Sequence, residues 1–598
     1  MPIRKNVTTL TLALMATACA DHYQHEPVVL EESEIRAQTA PPLNDEAAVA
    51  AGKQQIAERE AKEARSQPAS INSQHLPITK IAQPERLTHF EQHSAVKTKP
   101  SHHGVAMAAD AVGLYPSQSV DREHYLHYEE SPVKSVVEDP VSTFSVDVDT
   151  ASYANIRRMI VKEGRLPPSD AVRLEEMINY FGYEYPVPDN SEQPFSVSSE
   201  LARAPWSDQH HLLQVGLKGF EPAAAQRPAS NLVFLVDVSG SMRSPDKLGL
   251  LKKSLGLLVN KMRDDDRISL VAYAGAAGTV LEPTSGADKA KIMNAINALE
   301  AGGSTHGSAG IEMAYALAAQ HKIEGGINRV IIASDGDMNV GTVNLEALKD
   351  LIERKRKSGV ALTTLGFGSG NYNYALMEQL ADVGDGNAAY IDSLKEAQKV
   401  LVNEMQSTLL TIASDVKIQV EFNPEQVSEY RLIGYENRML KREDFSNDKV
   451  DAGDIGAGHT VTALYEIVLR QDNEGRIPAL RYETNKRPLE HSATLTAQEI
   501  AFVKLRYKTP GTTKSIELSQ AIARNTLKDS IANSSTDLRF AASVAGFGQI
   551  LKGGTYTDSW GYPEALTLAR SSRGDDPHGY RSEFVNMIEL AQSLSLGH

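Results

Sequence analysis

The chain has 598 residues, well beyond the ~250–300 that one hydrophobic core accommodates, so more than one domain is expected. Its 61 Lys and Arg against 77 Asp and Glu leave a net charge of −16, which argues against nonspecific binding to nucleic acid or anionic lipid, since both need Lys and Arg to neutralise phosphates. A single cysteine excludes an intramolecular disulfide and any Cys-built zinc or iron–sulfur centre.

Arg4 and Lys5 precede an apolar run from Val7 to Ala18, and Cys19 follows. A basic start and a short apolar stretch read as a secretory signal; the stretch is too short for a bilayer, which takes ~20 apolar residues. Ala16-Thr17-Ala18-Cys19 resembles the bacterial lipobox, with Ala16 where Leu is usual. That resemblance implies a lipoprotein signal peptide over 1–18 and a lipid (palmitate) anchor on Cys19. Ala20 is not the retaining Asp, so an outer-membrane location in the bacterial cell envelope is favoured, with membrane contact through the lipid only. Residues 19–137 are rich in Glu, Gln, Ala, Ser, His and Pro and poor in periodic apolar positions, which predicts a disordered tether. His102–His103 lack ligand spacing and are read as tether.

Folded structure is expected from about residue 142. Phe144, Val146 and Val148 alternate as in a strand, and a helix starts near Ser152. A second helix is expected in LPPSDAVRLEEMINYF, capped by Ser169 or Asp170, with Val172, Met177, Ile178 and Phe181 on one face. Asp147 and Asp149 resemble the D-x-D-x-T nucleophile motif of haloacid dehalogenase-like phosphatases, but Thr150 falls one position early and no partner set follows.

The region 229–410 alternates strands with helices. Leu232–Val236 is a continuous apolar run, as in a strand buried on both faces. Helix 247–262, strand RISLVAYAG, helices 288–299 and 308–320, strand RVIIASDGD, helix 345–357, strand VALTTLGFG, helix 373–381, strand AAYID and helix 395–408 follow. This predicts a doubly wound, mostly parallel α/β sheet whose ligand site lies at the carboxyl ends of its strands. Three signals should meet there: D-x-S-x-S (Asp237, Ser239, Ser241), G-G-S-T ending at Thr305, and S-D-G-D presenting Asp335. Two carboxylates and three hydroxyls, without His or Cys, suit Mg²⁺, Mn²⁺ or Ca²⁺ rather than Zn²⁺. An acidic side chain from a protein partner could complete the coordination of such an ion.

In this order and spacing the three motifs resemble the von Willebrand factor type A domain with its metal-ion-dependent adhesion site. The resemblance implies Mg²⁺ as the first choice of cation. It also implies that Ser239, Ser241 and Thr305 are hydroxyl ligands, direct or through water, and that Asp237 and Asp335 act largely through water. FSVDVDTASYANIRR, DAGDIGAGHTVTALYE and DLRFAASVAGFGQILKGG extend the resemblance to a family of bacterial lipoproteins over about 138–598. There the type A domain sits between an N-terminal segment (here 138–228) and a C-terminal domain (here 411–598).

Beyond Val416 the pattern is strand-like (VKIQVEFNP, YRLIGYE, HTVTALYEIVLR, AFVKLRYKTP), which predicts a β-rich α+β domain. Helices are expected around 515–525, 536–551 and 580–593. DAGDIGAGH is read as a tight turn, and Arg573-Gly574-Asp575 as a solvated one. The expected function is a membrane-anchored, divalent-metal-dependent protein-binding module of the cell envelope. The alternatives are a metal-stapled structural protein and a metal-dependent hydrolase. An enzyme is disfavoured because the chain has no G-x-S-x-G, no H-E-x-x-H and no cysteine beyond Cys19. The histidine nearest the motifs is His306, beside Thr305.

Overall fold

Ser230–Asp237 is buried along its whole length, as its unbroken apolar run requires, and it lies at the heart of a six-stranded sheet. The sheet belongs to a computed structural model that describes residues 123–597 except 147–148, 189–192, 224–225, 304–306, 337–344, 473–474 and 479–497. The signal, Cys19 and residues 20–122 lie outside the described residues, all of which fall in one compact unit beginning at Val112. The last part of the tether expected over 19–137 is instead folded, because Lys134–Ser135 pairs with Val427–Ile433 and Val136 is buried. The strand order is 388–391, 361–367, 327–334, 230–237, 267–273, 277–285. The first five strands are parallel, and the last is antiparallel.

Alternate residues of the central strand face opposite layers. Leu232, Phe234 and Val236 meet Leu251, Leu255 and Leu258 of helix Leu250–Lys261 and Ile292 and Ile296 of helix Lys289–Asn297. Val233 and Leu235 meet Ile311, Ala314 and Ala318 of helix Gly307–Gln320, together with Leu348, Ile352, Met377 and Leu380. The doubly wound sheet expected from the sequence is therefore present. The antiparallel strand Ala277–Ser285 was not expected. It is an edge strand, half exposed and interrupted by Pro283, and such a strand carries little apolar alternation to read. The helix expected over 395–408 is three short pieces, Leu394–Gln398, Lys399–Asn403 and Met405–Leu409.

A second body of structure is built from both sides of this sheet. One sheet has the order Lys134–Ser135, Val427–Ile433, Thr460–Leu469, His210–Gly219, Phe195–Arg203, Leu527–Lys528. The other joins Ile455–Gly456, Thr411–Phe422, Glu499–Lys508 and Ser515–Ala523, with Val141–Ser145 added alongside Thr411–Phe422. Their facing sides share one core, in which Phe144, Leu213 and Val215 from before the doubly wound sheet meet Val420, Leu432, Tyr465 and Leu505 from after it. A helical core does the same: Tyr153, Ile156, Met177 and Phe181 pack with Phe540, Phe547 and Phe584 of helices Thr536–Leu551 and Tyr580–Ser595.

Two expectations need correction here. The segment 515–525 is not a helix but strand Ser515–Ala523, which pairs with Glu499–Lys508 through Leu518↔Leu505 and Ile516↔Tyr507. Ile516, Leu518 and Ile522 fit a period of two as well as a helix, and the long neighbouring strand decides between them. Ser169 and Asp170 do not cap a long helix. They form a single tight turn, Val172 and Arg173 are extended, and the helix runs only over Leu174–Asn179.

The sandwich carries titratable groups with a definite acid response. His211 is 3 % exposed, and burial pushes its imidazole from 6.5 down to about 4. Burial alone would raise Glu466, but a hydrogen bond with His210 Nδ1 and the Arg431 guanidinium bring it to about 2. From pH 6.5 down to 4 the unfolded chain takes up a proton at His211 that the folded chain refuses. The stabilisation from Glu466, complete above about pH 4.5, is lost as pH falls toward 2. The His211 contribution to stability should therefore fall between pH 6.5 and pH 4, by on the order of 3 kcal/mol. Guanidinium unfolding of the protein and of its His211→Phe variant at pH 7 and pH 4.5 tests this, and an equal pH response of the two would refute it.

Candidate metal centre

Strands Ser230–Asp237 and Ile327–Ser334 run parallel with Val236 beside Ala333, so both chains leave the sheet at the same edge. Asp237 closes the first strand and Asp335 follows the second, and each is 0 % exposed. Asp237 Oδ1 accepts from the Ser239 N–H at 2.8 Å, which folds D-V-S into a tight turn. Its Oδ2 accepts from the Ser334 hydroxyl at 3.0 Å. The turn sets the Ser239 and Ser241 hydroxyls 2.9 Å apart.

Asp335 is held from another direction. Its Oδ2 accepts from Lys247 Nζ at 2.9 Å and from Asn371 Nδ2 at 3.1 Å, and Lys247 donates a second bond to Asn371 Oδ1 at 2.7 Å. Asn371 lies in the loop after strand Ala361–Phe367, which packs directly on Gly336. There φ is +81° and an added Cβ would lie 2.5 Å from the Asn373 nitrogen, so only glycine fits. The loop is strapped from outside by the first described residues. The Glu123 carboxylate accepts from Gly370 N–H at 2.9 Å and pairs with Arg158 at 2.8 Å, and His124 N–H donates to the Tyr372 carbonyl.

Electrostatics separate the two carboxylates. Burial, with Asp335 adding to it, pushes Asp237 up. Burial would raise Asp335 too, but the Lys247 ammonium and hydrogen bonds from Asn371 and Ser241 leave it below the usual carboxylate range.

Of the residues expected at the site, the structure brings Asp237, Ser239, Ser241 and Asp335 together. Thr305 lies outside the described residues. The loop that leads to it does reach the site: Gly240 N–H donates to the Gly303 carbonyl at 3.1 Å, and Gly302 N–H to the Val238 carbonyl at 2.7 Å. Among the described residues no group of three or more His, Cys, Asp or Glu side chains gathers to hold a metal. An ion at this edge would be held by hydroxyls, water and two carboxylates. That all-oxygen donor set fits a hard divalent cation.

Sequence reading missed Lys247, Ser334 and Asn371. The sequence pattern places Lys247 at the start of a helix. Asn371 follows a strand of the same parallel sheet, and the rule that ligand sites lie at carboxyl ends would have singled it out. Asp149 is structural: it accepts from Ala388 N–H at 2.7 Å and pairs with Arg438 at 3.1 Å, while Asp147 lies outside the described residues. Arg573, Gly574 and Asp575 are exposed in an irregular segment, with Gly574 at φ +60°, and the turn follows at 577–578.

Three family models match the chain: "von Willebrand factor" over 119–214, "von Willebrand factor type A domain" over 231–426, and "Uncharacterized protein YfbK, C-terminal" over 407–594. The chain is 45 % identical over 477 residues to YfbK of Escherichia coli (strain K12), a match covering 79 % of this chain and 81 % of that protein. It is 25 % identical over 273 residues to the human inter-alpha-trypsin inhibitor heavy chain H3, covering 42 % of this chain and 30 % of that one. Among solved structures, a von Willebrand factor type A protein from Catenulispora acidiphila aligns at a TM-score of 0.36 and 14 % identity, over 66 % of this chain and 89 % of that one. The α/β sheet is thus of the von Willebrand factor type A kind, and the chain belongs to the YfbK family, in which that domain is joined to a C-terminal domain of its own.

Proposed function

We propose that this chain is a membrane-anchored, divalent-metal-dependent protein-binding module of the bacterial cell envelope. A type A domain is a protein-interaction module, and the finer reading rests on one observation: the convergence of Asp237, Ser239, Ser241 and Asp335 at one edge of the parallel sheet. Ser239, Ser241 and Thr305 would hold Mg²⁺, or Mn²⁺ or Ca²⁺ in its place, with Asp237 and Asp335 orienting its water. Bound there, the ion would supply a Lewis-acidic position for an acidic side chain of a protein partner. The Ser239 hydroxyl is hydrogen-bonded to that of Ser241, and Ser241 also bonds Asp335. These contacts suit a pair of metal-ligating hydroxyls, and neither brings an imidazole or amine base to a serine. Lipidation at Cys19 would place the module on the membrane, with outer-membrane sorting favoured by Ala20.

Calorimetric titration of Mg²⁺, Mn²⁺ and Ca²⁺ into the full chain and its Asp237→Ala variant tests the site. The expected result is saturable binding by the parent and at least a tenfold loss in the variant, whose far-ultraviolet circular dichroism stays that of the parent. Equal binding by both would end the reading.

A further inference from the structure

Lys247 is 7 % exposed, an unusual place for a lysine, and it lies at the candidate metal centre rather than on a solvated helix face. The chain reaches it through Ser244-Pro245 and an irregular turn, Pro245–Gly249, in which Lys247 itself has φ −110° and ψ −105°, outside the helical region. That turn directs the side chain inward, ahead of helix Leu250–Lys261. The opposing backbone leaves room for the stem. At Gly368, with φ +78°, an added Cβ would lie 2.3 Å from both Cγ and Cε of Lys247. The ammonium ends 2.9 Å from Asp335 Oδ2 and 2.7 Å from Asn371 Oδ1, and Asn371 Nδ2 closes the triangle on Asp335 at 3.1 Å.

We propose that Lys247 is a built-in counter-cation of the metal centre, which neutralises Asp335 when no ion is bound and weakens the affinity for a divalent ion when one is offered. The inference rests on the metal-binding reading above. With Lys247 counted, Asp237 and Asp335 present one net negative charge instead of two. An ion there experiences repulsion from a buried ammonium that solvent and salt screen poorly. The same ammonium spares the metal-free domain two uncompensated buried carboxylates at one sheet edge, which is destabilising where charges are buried. The site is thereby built to bind its ion reversibly, and Lys247 is a positioning residue that sets affinity through Asp335 and Asn371.

The test turns on sign, because damage to a site weakens binding whereas removal of a repelling charge tightens it. Lys247→Met keeps the stem and deletes the charge; Lys247→Gln deletes the charge and keeps a donor. Mg²⁺ and Mn²⁺ are titrated calorimetrically into the full chain and both variants, and thermal melts are recorded in EDTA and in excess Mn²⁺. The expected result is binding at least tenfold tighter in a folded variant, with a lower Tm than the parent in EDTA and a larger rise on adding Mn²⁺. Parent binding with equal or weaker binding in the folded variants would overturn the inference and leave the metal reading intact. Absence of binding in parent and variants alike would overturn both. If Lys247→Met does not fold, the outcome is read from Lys247→Gln.

Discussion

Expressed alone, residues 411–598 should yield no folded domain, although one family model spans 407–594. Strand Thr460–Leu469 would lose His210–Gly219, its partner from Thr460↔Lys218 to Val468↔His210. Phe195–Arg203, on the far side of that partner, would go with it. Thr411–Phe422 would lose Val141–Ser145. The helical core would lose Tyr153, Ile156, Met177, Ile178 and Phe181. What remains has open strand edges and uncovered apolar faces, a template for aggregation. The fragment should accumulate as insoluble protein without a cooperative melt, while residues 123–598 are soluble and melt cooperatively. A cooperative, two-state melt from 411–598 by itself would refute this.

The second large effect is expected at Arg157, whose side chain is 4 % exposed. Its guanidinium donates to Asp392 Oδ2 at 3.0 Å, Glu396 Oε2 at 2.8 Å, Glu583 Oε1 at 2.7 Å and the Tyr180 hydroxyl at 2.9 Å. One cation thereby ties helix Ala151–Arg157, the end of the type A sheet and helix Tyr580–Ser595 together. Burial pushes the Glu396 carboxyl up, and Arg157 and Lys399 oppose that rise. Arg157→Met leaves Asp392 and Glu396, 2 % and 1 % exposed, without their main counter-charge. The cost should be about 3–5 kcal/mol, the usual penalty for breaking a buried pair on one side. Urea unfolding of the two proteins measures it, and a loss below about 1 kcal/mol, the scale of an exposed pair, would show that the network contributes little.

The parts of the fold that could be read from sequence are those with strong periodicity. Leu232–Val236 is legible because a strand covered on both faces must be apolar throughout, and Thr536–Leu551 because its apolar residues recur at helical spacing. Ser515–Ala523 was misread because Ile516 and Leu518 satisfy two periods and only the pairing with Leu505 and Tyr507 selects one. Strand Ala277–Ser285 carried almost no signal, being exposed along one side. The assembly of the sandwich from segments on either side of the type A sheet was not legible at all, since it depends on pairings between residues more than two hundred positions apart. At the candidate metal centre the carboxylates and hydroxyls were legible as a spaced motif. Lys247 was not, because an isolated lysine beside apolar residues reads as a helix face. Its inward course follows from a turn that only the backbone reveals.

The strap at Glu123 has a mechanical consequence. A force applied at Glu123 is borne by its contacts with Gly370 N–H and Arg158 and by the His124 bridge to Asn373. Those contacts grip the loop that holds Asn371 on Asp335. Traction at Glu123 therefore reaches the candidate metal centre through one loop.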